Sequence, residues 1–92
     1  MKLTDAELNI WIAEHFRRSN PRAWHESPDF CNDNVMTMLL IRHKSFVSLD
    51  LMLNGHYRAA FDDGTNFQYA TDENPGRAVA EAWALANGWK EG

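Results

Sequence analysis

The sequence predicts a single α+β domain over residues 1–92, ordered helix, helix, three-stranded antiparallel meander, helix, as a layered α/β sandwich. Three observations predict it. Thr4-Asp5-Ala6-Glu7 is a capping box that opens an amphipathic helix. Asn54-Gly55 and Asp63-Gly64 are turn signals set among period-two apolar alternation. Asn74-Pro75 caps an alanine-rich segment that closes at Gly88.

In the first helix, Leu8, Trp11, Ile12, His15 and Phe16 recur at helical spacing, and Leu3 and Leu8 occupy the two positions of a hydrophobic staple. Asp5 and Glu7 at its start and Arg17 and Arg18 at its end suit the helix dipole, and Pro21 stops it. Residues 19–31 hold two prolines and no periodicity, which reads as a structured loop. Asn32-Asp33-Asn34 can cap a second helix, whose apolar residues Val35, Met36, Met38, Leu39, Leu40 and Ile41 cover more than one face. A short apolar run also allows a strand; the cap, the unbranched Met and Leu and the basic finish Arg42-His43-Lys44 favour a helix.

From Phe46 to Leu53, Val47, Leu49, Leu51 and Leu53 alternate with Phe46, Ser48, Asp50 and Met52, the pattern of a half-buried strand. Asn54-Gly55 then predicts a type I′ hairpin. The return strand sets Tyr57, Ala59 and Phe61 against Arg58, Ala60 and Asp62, and a third strand carries Phe67 and Tyr69. In the last helix Ala78, Val79, Ala82, Trp83 and Ala86 form a stripe whose small side chains permit a close approach to the sheet. Gly88 suits a C-terminal cap, with Trp89 folding back as its apolar partner. A meander with one apolar face needs a helical cover; Phe46, Met52 and Ala60 on the other face leave a helix–sheet–helix sandwich and a two-layer plan both open.

Composition bounds the function. Ninety-two residues with 45% hydrophobic and 12% aromatic side chains build one core. They leave little room for a deep substrate pocket. A single cysteine, Cys31, forms no intrachain disulfide and fits a reducing cytosol. MKLTDAEL lacks a signal-peptide pattern, and no apolar run is long enough to span a bilayer. The expected location is therefore cytoplasmic, in the resemblance below a host cell's. Residues 1–45 carry six cations and six anions, residues 46–92 three and seven, which opposes general binding to DNA backbone.

No catalytic residues, metal or cofactor are expected. His15, His25, His43 and His56 show no ligand spacing, and Asp62-Asp63-Gly64-Thr65-Asn66 lacks that of a calcium loop. Cys31 precedes a helix, where a thiol can become reactive, but an inert packing role is the simpler reading. The loop 17–30 mixes cations with aromatics. Arg17, Arg18, Arg22, Trp24 and His25 are candidates for binding a protein partner, and for single-stranded nucleic acid in second place. The plain alternative is that Trp24 and Phe30 plug the core while the arginines are solvated. Asp62 and Asp63, expected to gather with Asp72 and Glu73 at one end of the sheet, complete the candidate set as an edge for a basic partner.

Three segments, Leu3-Thr4-Asp5-Ala6-Glu7-Leu8, Ser27-Pro28-Asp29-Phe30-Cys31-Asn32-Asp33 and Pro75-Gly76-Arg77-Ala78-Val79-Ala80-Glu81-Ala82, give the chain its resemblance to the phage ABA sandwich family. The chain departs from it at Cys31-Asn32, where that family tends to have Ser-Thr. The resemblance implies an α/β sandwich of phage or prophage origin and carries no established activity. It suggests a small non-enzymatic protein that binds and modulates a host or phage protein, an inhibitor of a host defence system being one form, with a nucleic-acid-binding accessory role as the alternative.

Overall fold

The computed structural model describes residues 2–43 and 45–90. The order is α1 (Asp5–Ser19), α2 (Asn34–His43), β1 (Phe46–Leu51), β2 (Tyr57–Asp62), β3 (Phe67–Asp72) and α3 (Pro75–Ala86), an α+β fold as the sequence predicts. Residues 32–43 resolve as loop and helix, not strand. Asp33 caps α2, its Oδ1 accepting from the Val35 amide at 2.8 Å. Thr4 and Glu7 form the expected capping box on α1. At the far end of α3, Gly88 takes φ 107° and the Trp89 amide donates to the Ala84 carbonyl at 3.0 Å, the predicted cap.

The alanine-rich helix is the centre of the molecule rather than a cover. Every residue of α3 from Gly76 to Ala84 is buried. The meander lies on one side of α3, and α1 and α2 lie on the other. All helices therefore sit on one side of a sheet ordered β1-β2-β3, and of the two layer plans left open the one-sided arrangement holds. The opposite sheet face carries half-exposed Phe67 and Tyr69, with Arg58 5.2 Å over the Tyr69 ring.

The three helices run the same way. Asp5 meets Arg77 where α1 and α3 start, at 2.9 Å, and Phe16 stacks on Trp83 near their ends. At the α2 start, Asn74 Nδ2 donates to the Cys31 carbonyl at 2.9 Å; at its end His43 meets Trp83. Parallel neighbours explain the long loop: residues 20–33 must return along α1, about 22 Å for its 15 residues, before α2 can begin.

Two strand expectations need correction. β1 ends at Leu51, not Leu53, and its alternation breaks at a bulge between Phe46 and Ser48. An extra residue there turns Val47 outward and puts Phe46 with Leu49 against the core, while Leu51 and Leu53 stay exposed. The Asn54-Gly55 turn is not type I′, because only Gly55, at φ 85°, is left-handed. Met52 and His56 close a three-residue loop, with the Gly55 amide donating to the Met52 carbonyl at 3.0 Å. That is the type I turn followed by a left-handed glycine.

Candidate functional site

An apolar concavity lies between α2 and the loop that returns along α1. Helix α2 buries Leu40 and packs Met36, Leu39 and Ile41 partly against the core. Its other side presents Val35 and Met38, 69% and 53% exposed. Asn34, Val35, Met38, Leu39 and Arg42 run as a stripe along one wall of a groove of about 690 Å³, and Phe16 and Trp24 face them. Arg42 is the one formally charged side chain among these lining residues.

Trp24 is set in place from both backbone and ring. Its indole meets Phe16 and Phe30 edge-to-face at 4.9 and 5.3 Å. Its backbone takes φ 50°, where a bulky residue is strained. Arg17 holds that turn, Nη2 donating to the Trp24 carbonyl at 2.8 Å and Nε to the Ala23 carbonyl at 3.0 Å. The loop thus both plugs the core, through fully buried Phe30, and builds a wall, through half-buried Trp24.

The structure separates the other sequence-derived candidates. Arg17 is a half-buried staple of the loop rather than a solvated cation. Arg18, Arg22 and His25 are exposed and lie outside the groove wall. Asp62 and Asp63 shape the β2–β3 turn. Asp62 Oδ1 accepts from the Gly64 amide at 2.8 Å. Asp63 Oδ1 accepts from the Asn66 and Thr65 amides and its Oδ2 from Gln68, which together hold the carboxyl well below the usual range. The four acids do not gather: Asp62 pairs with Phe67 at one end of the sheet and Asp72 with Tyr57 at the other. A six-residue strand spans roughly 17 Å between those ends. Asp72 pairs there with Lys2, and Glu73 lies 3.8 Å from His56.

Charge follows α1 and α2, while α3 departs from the pattern with Arg77 in its first turn. Asp5, Glu7, Asp29 and Asp33 stand at or beside the helix starts, while Arg17, Arg18 and Arg42 stand in the last turns of α1 and α2. The groove runs from the acidic end toward the basic one.

Cys31 is fully buried, and its thiol is pushed up to about 12, first by desolvation and then by the Asp5 carboxylate. Position before α2 does not activate it. Its carbonyl is engaged by Asn74, and His25 lies exposed in the loop. His15 packs between Trp11 and Trp83. Among the described residues no group of three His, Cys, Asp or Glu side chains could hold a metal ion, and no helix is long and apolar enough to cross a membrane.

Val35, Met38, Leu39, Arg42 and Phe16 were not among the sequence-derived candidates. The signal was present in α2, whose apolar residues exceed one face; what was missing was the knowledge that only one face would be covered. No family model matches the chain, and neither a curated protein nor a solved structure does.

Proposed function

We propose that the protein is a non-enzymatic binding module that docks a protein partner in the groove between α2 and Trp24 and modulates that partner. The observation that carries this reading is the pairing of an apolar, uncovered α2 face with an aromatic wall held in a strained backbone conformation. Strain of this kind persists where the surrounding structure over-determines it, often at ligand clamps. Val35 and Met38 in water forgo part of the roughly 1.5–3 kcal/mol that full burial of such a side chain returns. The burial and raised proton affinity of Cys31 speak against the one nucleophile the sequence suggested. Phage-related origin, and a host protein such as a defence component as partner, rest on the sequence resemblance and stand independently of the groove.

Affinity capture from host-cell lysate tests it with three baits: wild type, Val35→Glu with Met38→Glu, and Tyr69→Ser on the bare sheet face. The expected result is a protein retained by wild type and Tyr69→Ser and lost by the groove variant, with melting temperatures unchanged. Identical capture by all three baits overturns the groove reading. Nuclease-sensitive capture that follows Arg18 and Arg22 favours the nucleic-acid alternative instead.

A further inference from the structure

We infer that the groove's occupant is an amphipathic α-helix of a protein partner, apolar on one side and acidic on its flank; this rests on the proposed function and names the partner's chemistry. Apart from Asn34, Arg42 and His43, the lining is Phe16, Trp24, Val35, Met38 and Leu39. An extended segment laid there would bury backbone N–H and C=O groups against apolar side chains. No strand edge belongs to the lining to pair with them, because β1, β2 and β3 contribute no residue to it. A helix makes its backbone hydrogen bonds internally and needs only an apolar stripe. A small polar ligand finds few convergent polar groups.

The dimensions agree. From Asn34 to Arg42 the wall rises about 12 Å, a little over two helical turns, enough for anchors at i, i+3 or i+4 and i+7. Met38 and Trp24 are suited to receive such anchors, since methionine adapts its shape and the indole is held by Arg17.

Charge selects the flank. Among the described lining residues Arg42 is the charged group, exposed in the last turn of α2, and its guanidinium, not the negative end of the helix dipole, is what favours an anion there. Arg22 lies two residues from Trp24 and is exposed. A basic helix would set cations against Arg42, and a nucleic-acid strand would place phosphates along a wall where Arg42 is the one formal cation among the described residues.

The test uses the whole protein and four synthetic probes. These are a helical peptide with leucines on one face and glutamates on the other, the same apolar face with lysines, a scrambled glutamate–leucine peptide that cannot form an apolar stripe, and a single-stranded oligonucleotide. Binding is read from the Met38 methyl and Trp24 indole NMR resonances. The glutamate helix is expected to shift both and to bind about tenfold or more tighter than the scrambled peptide, the effect of one good anchor residue. Val35→Glu should abolish the shifts, and Arg42→Glu should reverse the preference between glutamate and lysine helices. Equal binding of the scrambled peptide, preference for the lysine helix by wild type, tighter binding of the oligonucleotide, or shifts confined to other surfaces each overturns the inference. If the glutamate helix fails while Val35→Glu with Met38→Glu still loses a captured protein, the helix is wrong and the groove function stands; if both fail, both fall.

Discussion

Arg17 donates two hydrogen bonds to the Trp24 carbonyl, from Nη2 at 2.8 Å and from Nε at 3.1 Å, and this fork holds Trp24 at φ 50°. Strain at a bulky left-handed residue costs about 1–3 kcal/mol, so without the fork the loop relaxes. Arg17→Ala is expected to lower stability by about 1–2 kcal/mol, the usual worth of such hydrogen bonds. It should also broaden or move the Trp24 indole resonance. Arg17→Lys keeps the charge but not the planar fork and should recover only part of the loss. Urea denaturation followed by circular dichroism gives the stability change. Unchanged stability and an unchanged Trp24 resonance in Arg17→Ala would remove the staple role.

The first turn of α3 abuts the start of α2 so closely that a Cβ at Gly76 would clash with the Cys31 carbonyl oxygen. The neighbour is backbone, already fixed by Asn74, so it cannot swing aside. Alanine favours a helix over glycine by about 1 kcal/mol, yet the clash should win. Gly76→Ala is expected to destabilise by about 2 kcal/mol or more, in the range of overpacked interiors. A variant as stable as wild type by urea denaturation would show that α2 and α3 can separate at no cost.

Cys31 retains its proton in the fold far above the ordinary thiol value, since burial and Asp5 push it up to about 12. Iodoacetamide at pH 8 should therefore label it only as fast as the protein opens, and subdenaturing urea should raise the rate. The raised value also fixes a sign. In the unfolded chain the thiol ionises above about 9.0, whereas the folded thiol stays neutral, so the unfolded state binds fewer protons between about 9.0 and 12. Stability contributed by this group is whole below that window and falls as pH rises through it. Cys31→Ala should flatten the alkaline fall in melting temperature; an identical profile in both proteins would contradict the assignment.

Local rules carried the sequence reading wherever one segment decided the outcome. The Thr4–Glu7 box, the Asn74-Pro75 start and the Gly88–Trp89 finish each depend on a few adjacent residues, and each forms. The β1 face and the acidic cluster failed because their outcome lies elsewhere. A bulge at Phe46–Ser48 depends on which residues β2 offers, and the meander register sends Asp62 and Asp72 to opposite ends. At the groove, Trp24 was legible because a large aromatic set among arginines in a loop stands out. Val35 and Met38 were not, since apolar residues on a helix read as core until the positions of α1 and α3 show which side is left bare. The arginines looked equivalent in sequence; geometry alone separates Arg17, turned inward to the loop, from Arg18 and Arg22 in solvent.

Arg77 and Glu81 form an i,i+4 pair inside the central helix, Nε to Oε2 at 3.1 Å, both nearly inaccessible to solvent. Arg77 also donates to the Leu3 carbonyl at 2.7 Å and to Asp5 at 2.9 Å, and Lys2 lies 3.6 Å from Glu81. The cluster therefore ties residues 2–5 to the start of α3. Removing one member strands the other: Arg77→Met leaves the buried Glu81 carboxylate with, among the described residues, the half-exposed Lys2 as its cation and should cost about 3–5 kcal/mol. Removing both charges deletes the desolvation penalty along with the attraction. Arg77→Met with Glu81→Met should accordingly be more stable than Arg77→Met alone, although the lost bonds to Leu3 and Asp5 keep it below wild type. A double-mutant cycle by urea denaturation measures this, and additive single effects would show that the two side chains act independently.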